Sequence, residues 1–556
     1  MDRRTFLIYA GFGSAVTTLN TLLTNTSSGV AQKSTNYNKI LLAQTLPNLF
    51  VNVYTFGKLV SGKTNKAYII AANTKIIQKA IDTVGQKGGG TIYIPKGYYQ
   101  VAPENLTVDS PSSIVINYDN ITLLGDGIGK TIIESRGSWS LIKGQVVRGH
   151  GIMIKGTDNS LYPRKNITIK NLELQGGTTG FTGDNSWPAN PKTGDGWDIT
   201  HKGICLDFDK YLDNITINSV YVHDFRGEVI YNGGLWLGKL TISNTKLANS
   251  NGSMLSVDAN LTVTNCEFIN TATAWVENAP ISPNKSYYFD KCTFKDSIGH
   301  GLVIAQGKFP SGRKVTITNC NFYNSPSGIC PFGGASNFVV TKNKFFDVKN
   351  ALLTSGVNKN IQFYQNEIYG QQKPVSTAYL FGKLSNVVIK NNYHQAATNA
   401  PKIACILYYA DLENIVIENN IFKNCRTPEQ SSDLTNERPL FRKNQYINVE
   451  RRNAQGAYIL WWGQETPYIV TPKCEELVLN NDTSSAVTTV SMSISHYVDG
   501  QEVLVTGGSI NKKVKLPKNS DTIQCQSDRL LSGQGEKVRL KFKKSSQKWY
   551  EISYSS

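Results

Sequence analysis

Asn166-Ile-Thr-Ile-Lys-Asn-Leu-Glu-Leu174 is one copy of a phrase that returns along the chain as Asn214-Ile-Thr-Ile-Asn-Ser-Val-Tyr-Val222, Asn260-Leu-Thr-Val-Thr-Asn-Cys-Glu-Phe268 and Lys314-Val-Thr-Ile-Thr-Asn-Cys-Asn-Phe322. It recurs from Asn337, Asn360, Asn386 and Asn414, with weaker copies from Lys239 and Ser286. From Asn214 onward the steps are 25, 21, 26, 28, 23, 23, 26 and 28 residues. Short alternating strands at that period, with no amphipathic helix between them, predict β-solenoid coils. A leucine-rich repeat needs a Leu consensus and a helical return, and a propeller needs a longer period. The fold class expected is therefore all-β: a parallel β-helix.

Aligning the copies stacks one inward position: Leu172, Val220, Thr245, Cys266, Cys292, Cys320, Asn343, Asn366, Asn392 and Asn420. Coils about 4.8 Å apart turn such a column into a ladder. The Asn run predicts hydrogen-bonded amides and the Cys run a file of buried, reduced thiols acting as compact hydrophobes.

Ahead of the clear copies, Thr74 to Val84 has apolar residues at helical spacing, then Gly88-Gly-Gly90 and the strand Thr91-Ile-Tyr-Ile-Pro95. A helix there covers the open edge of the first coil. This passage, with Ile121-Thr-Leu-Leu-Gly-Asp-Gly-Ile-Gly-Lys-Thr-Ile-Ile133, resembles the opening of the pectate-lyase superfamily, the pectin-lyase-like right-handed parallel β-helices of glycan-degrading enzymes and phage tailspikes. The resemblance implies polysaccharide as the partner. The run Gly125 to Thr131 imitates a phosphate loop, but Leu124 replaces its first glycine and a strand follows, so it reads as a turn.

The expected organisation is a signal peptide over 1–31, an extension over 32–65, the β-helix over 66–426, an irregular linker over 427–467 and a small antiparallel β domain over 468–556. Arg3-Arg4-Thr5-Phe6-Leu7 resembles a twin-arginine export signal, with a modestly apolar stretch and small residues at Gly29-Val30-Ala31 after it. That predicts a periplasmic, cell-envelope or extracellular protein with no transmembrane segment. The C-terminal domain caps the solenoid, trimerises it or binds glycan; a homotrimer is compatible with the sequence. With 58 Lys and Arg against 41 Asp and Glu the formal charge is +17, which draws anions such as uronate glycans. No nucleic-acid motif or basic helix is present, so nucleic acid is not expected.

Candidate chemistry clusters on coils from Asn214 to about Gln306, after a Gly-, Asp- and Trp-rich insertion that includes Trp197. Strand alternation turns Trp275 and Glu277 outward around Val276, and Asp258 outward after Val257. Asp224, Glu228, Asp258 and Glu277 then supply the two carboxylates that glycoside hydrolysis requires, an acid and a nucleophile or base. His300, in Gly299-His300-Gly301, resembles the Gly-His-Gly motif of the polygalacturonase family, whose Asn-Thr-Asp triplet is absent here. Trp275, Tyr231, His223, Arg226 and Trp197 are the expected substrate contacts. The leading expectation is a glycoside hydrolase. A polysaccharide lyase or epimerase on uronates is the rival, with His223, His300 or Tyr231 as base and Arg226 or a cation meeting the uronate carboxylate. A non-catalytic glycan-binding or structural envelope protein is the third reading. No metal site or cofactor is expected, except a divalent cation such as calcium for a lyase.

Overall fold

The computed structural model describes residues 49–556 apart from 137–139, 179–188, 209, 234, 237, 258, 272–273, 279–285, 307–313, 399–403, 426–428, 432–438, 449–456, 460–475, 480–486, 490–491, 493–498, 508–512 and 533–534. The proposed signal segment lies outside the described residues.

The coil strands pair in parallel, each with the strand one repeat later. Ile167 lies opposite Ile215, Ile215 opposite Leu240, Leu240 opposite Leu261 and Leu261 opposite Tyr287. The chain is a right-handed parallel β-helix, as expected. Three files of strands result. Sheet one takes the first half of the phrase and sheet two the second half. Sheet three takes the strand that follows, as in His150–Ile154, Ile204–Leu206, Glu228–Asn232, Gly252–Val257, Ala274–Asn278 and His300–Gln306.

The residue that opens the phrase is left-handed, with φ of 58° at Asn166, 48° at Asn214 and 59° at Asn337. Asn tolerates that region better than most L-residues. Its amide also bonds the coil before it: Asn214 Nδ2 donates to Asn166 Oδ1 and Asn166 Nδ2 to Asn120 Oδ1, both at 2.8 Å.

Every residue of the expected inward column is buried. Asn343 Nδ2 donates to Asn366 Oδ1 (3.0 Å), Asn366 to Asn392 (3.1 Å) and Asn392 to Asn420 (2.9 Å). The amides of Asn366, Asn392 and Asn420 are fully used, each giving two bonds and accepting two. Asn366 Nδ2 also reaches the Val340 carbonyl, and its Oδ1 also accepts the Asn343 backbone N–H. The column thus supplies the hydrogen bonds that a buried turn would otherwise lack. Next to it, Phe268, Phe294, Phe322 and Phe345 stack with centroids 4.6, 4.8 and 4.8 Å apart. The described cysteines are free and buried. Burial pushes the Cys205 and Cys330 thiols up to about 12, well away from the reactive thiolate.

The helix Ala67–Gln86 buries Ile77, Ala80, Ile81 and Val84 and begins about two turns earlier than the Thr74 reading. The coils also run past Arg426. Leu440–Arg442 and Gln445–Ile447 pair with the strands of the preceding coil. Asn444 extends the amide ladder there, accepting from Asn420 Nδ2 at 3.0 Å. Toward the C-terminus, Glu502–Gly507, Lys537–Lys543 and Lys548–Ser555 pair antiparallel, and Glu476–Leu479 joins in parallel, so this sheet is mixed. No helix among the described residues is long and apolar enough to cross a membrane.

Replacing Asn366 by Ala leaves Asn343, Val340 and Asn392 groups unsatisfied in the interior. Urea unfolding should show a loss of about 3 kcal/mol or more, and a loss under about 1 kcal/mol would mean the ladder is not a stabilising element.

Candidate functional site

Sheet three opens with an abrupt change of facing. A Cβ on Gly203 would lie 2.4 Å from the Val229 carbonyl oxygen and 2.5 Å from Val222 Cγ1, so position 203 points inward and only glycine fits. The residue before it therefore faces out. In successive coils that outward file reads His150, Lys202, Glu228 and Gly252, and further along His300, Ser327, Asn350 and Ser376. A second outward file, three residues on, holds Met153, Cys205 and Tyr231, and further along Val303 and Cys330.

At the third of these coils the two files meet. Lys202 Nζ donates to Glu228 Oε2 at 2.8 Å, with side chains 4% and 10% exposed. The ammonium also lies 4.3 Å from the Tyr231 ring centroid and 5.5 Å from that of Trp197. Gly252 makes room for this pair. The nearest atoms to a Cβ there would be those of Glu228, with its Cγ at 3.0 Å. Such a buried pair is held by its neighbours, since two charges taken from water gain little unless their geometry is fixed.

What fixes it is the described end of the insertion, which straps coil to coil. Arg148 donates to Asp198 Oδ2 (2.9 Å) and to the Gly194 carbonyl (2.7 Å). Asp198 Oδ1 accepts from the Thr200 N–H and hydroxyl. From the next coil, Arg226 donates to Asp195 Oδ1 (3.2 Å) and its backbone N–H to His201 Nδ1 (3.0 Å). Gly227 permits the contact: a Cβ there would sit 2.7 Å from the Asp198 carbonyl and 3.0 Å from that of His201.

The histidines divide by environment. Burial pushes His150 down to about 3, aided by the Lys202 charge, and His300 down to about 4. Burial likewise holds His201 well below its usual range. His150 Nδ1 accepts the Lys202 backbone N–H at 3.2 Å, and His300 Nδ1 lies 2.5 Å from the Ser327 hydroxyl. His223 differs. Burial lowers its pKa, but hydrogen bonds to Asp224 (2.7 Å) and Glu173 (3.2 Å) outweigh that and raise it to about 9. It ends a sheet-two strand, stacked on Tyr221 with centroids 4.1 Å apart.

Of the residues expected from sequence, the structure brings together Glu228, Tyr231 and Trp197, with Arg226 bracing the strap. His223 and Asp224 form a separate cluster with Glu173. His300 stands three coils from Glu228 in the same file, about 14 Å away at the usual coil spacing. Glu277 lies opposite Val257, and Glu228 opposite Gly252. These two glutamates are thus five residues apart along the strand direction, about 16 Å, rather than within one sugar. Asp258 and the side chains of Trp275 and Glu277 lie outside the described residues. Lys202, His150, Arg148, Asp198 and His201 were missed. Aligning coils on the strand after the phrase, instead of on the phrase, would have stacked His150, Lys202 and Glu228. No group of three or more His, Cys, Asp or Glu suited to a metal occurs among the described residues. Beside Glu228 the Lys202 ammonium takes the place a divalent cation would need, so these residues do not fit calcium.

A sequence model of the right-handed β-helix region matches residues 120–345 and 281–470, and the chain belongs to that family. Mannuronan C5-epimerase AlgE1 of Azotobacter vinelandii is 28% identical over 178 residues, 32% of this chain and 10% of the relative. Alginate lyase 7 of the same organism is 34% identical over 88 residues, 16% of this chain and 9% of the relative. The matched region thus spans about a tenth of these curated relatives. Among solved structures, the A-module of A. vinelandii mannuronan C-5 epimerase AlgE4 aligns over 74% of this chain and 100% of its own, at TM-score 0.49 and 17% identity. An exopolygalacturonase of Thermotoga maritima aligns over 67% and 92%, at TM-score 0.43 and 13% identity.

Gly227→Ala should push the strap off its coil, and limited proteolysis should cut near Asn190–His201 severalfold faster; an unchanged rate would mean the strap is held elsewhere. The raised pKa of His223 stabilises the fold fully below about pH 6.5, the unfolded value, and is lost as pH rises through about 9. The lowered values of His150 and His300 act oppositely, stabilising above about 6.5 and failing as pH falls toward about 4. Melting temperature should therefore peak near neutral pH, and His223→Gln should flatten the decline between pH 6.5 and 9.

Proposed function

We propose that this chain is an exported enzyme acting on a uronate polysaccharide by removing the proton next to the sugar carboxylate, as a lyase or a C5-epimerase. One observation carries the reading: a lysine ammonium held on the outward file of sheet three between a carboxylate and two aromatic rings. The names of the curated relatives, mannuronan C5-epimerases and an alginate lyase, support the same class. Export is proposed from the Arg3-Arg4 segment alone.

A hydrogen next to a carboxylate is weakly acidic because its removal puts a second charge on the carboxylate. A cation at that carboxylate stabilises the charge as it develops, most effectively where water is excluded. Lys202 has three N–H donors and gives one to Glu228, leaving capacity for a substrate carboxylate. Tyr231, against the same ammonium, is assigned to proton transfer. Entering the step as its phenolate, its oxygen takes the C5 proton; the electron pair then forms the C4–C5 double bond as the C4–O bond breaks, and the phenol so formed gives that proton to the leaving oxygen. In epimerisation the phenol keeps the proton, a water on the opposite face gives C5 another, and no C–O bond breaks. Trp197 offers a stacking face to the neighbouring sugar. His150, neutral with Nδ1 accepting a backbone N–H, carries its proton on Nε2 and serves as a donor rather than the base.

The hydrolase reading needs a second carboxylate near Glu228, and the register places Glu277 at the far end of the strand. Incubating the full chain with polymannuronate and polygalacturonate in deuterium oxide separates the classes. Deuterium at C5, or an ultraviolet-absorbing unsaturated end, is the expected result. New reducing ends without either would establish hydrolysis and overturn the reading, and no change on any uronate polymer would favour a binding protein. Tyr231→Phe should lower turnover by about 10²-fold or more with the melting temperature kept.

A further inference from the structure

We infer that the outer face of the C-terminal sheet is a docking surface for an anionic polysaccharide, separate from the site on sheet three. The strand Lys537–Lys543 alternates strictly. Val538, Leu540 and Phe542 are buried, while Lys537, Arg539, Lys541 and Lys543 are exposed. Alternation puts all four cations on one face.

The neighbouring strands do little to balance them. Across Lys548–Ser555 the residues directly opposite are Ser555, Ser553, Tyr550 and Lys548. On the other side Lys541 lies opposite Glu502, which contacts it at 3.3 Å and Arg539 at 3.9 Å. Glu502 is the one carboxylate that the described residues of these three strands place on the face. Lys543 stands directly opposite Lys548, and like charges so placed destabilise a sheet. Lys548 is drawn aside to the Ser520 carbonyl at 2.8 Å, and Lys543 lies 6.0 Å from the Tyr550 ring centroid.

A row of cations repeating every second residue along one strand suits a linear polymer that carries one carboxylate per sugar. Tyr550 within the row offers an aromatic surface for a sugar ring. A polyanion laid along the row relieves the repulsion that the sheet otherwise bears. The partner class rests on the uronate reading above, whereas the surface itself rests only on this sheet. Its effect would be to hold the polymer near the enzyme between turnovers, by raising the local concentration of chain.

The test uses the full chain and measures retention in native gels containing sodium polymannuronate or sodium polygalacturonate. The variant Arg539→Gln/Lys541→Gln/Lys543→Gln should weaken retention at least tenfold at low salt. A control losing three exposed charges on the N-terminal helix and its end, Lys75→Gln/Lys79→Gln/Lys87→Gln, should retain as the unmodified chain does. Tyr231→Phe should also leave retention unchanged, which separates this surface from the proposed active site. The inference is overturned by unchanged retention in the sheet variant, by equal loss in the control, or by double-stranded DNA or anionic phosphatidylglycerol vesicles binding as tightly as the uronate polymers. If no uronate polymer is turned over but the sheet variant alone loses retention, the enzyme reading fails and this inference stands.

Discussion

Coil stacking is the constraint on which everything else in this chain depends. Each strand satisfies its backbone by pairing with the strand one repeat later, so the side chains of successive coils must match in file at about 4.8 Å. Inside, that demand is met by like residues: amides on amides from Asn343 to Asn444, and rings on rings from Phe268 to Phe345. The amide column is strong because its members saturate one another: Asn366, Asn392 and Asn420 each give two side-chain bonds and receive two. A slip of one residue would turn every inward side chain out, so the files also define the register.

The same stacking builds the candidate site. Residues far apart in sequence, such as His150, Lys202 and Glu228, become neighbours because they occupy one outward position in consecutive coils. The described end of the insertion between His150 and Lys202 then straps these coils together. Arg148 from below and Arg226 from above hold its carboxylates and carbonyls. Lys202 and Glu228 are paired there, each partnering the other, with the rings of Tyr231 and Trp197 beside the ammonium. Site chemistry and solenoid stability are thus coupled through the strap, whereas the cationic C-terminal face draws on neither.

The recurrence of Asn166 to Leu174 sufficed to read the fold, the inward column and most of the coil limits. A pattern repeated many times averages out local noise. It failed where repetition was masked. Arg442 and Lys443 hid the coil around Asn444, although that residue continues the ladder. Part of the site was also legible: Glu228 as one of a carboxylate pair, and Tyr231, Trp197 and Arg226 as substrate contacts, rather than as the surroundings of a lysine.

By itself, then, the sequence determined a parallel β-helix, the contents of its interior and the stretch of coils that carries polar outward residues. Those follow from period and alternation, which are local properties of the chain. Only the tertiary structure decided which outward residues meet. The Glu228–Glu277 separation depends on where each falls along its strand, and the Lys202–Glu228 contact on how a loop of irregular length returns to the coil. Neither quantity has a period to read. Insertions shift numbering without shifting register, and hydrogen bonding between coils, not sequence spacing, sets the final alignment.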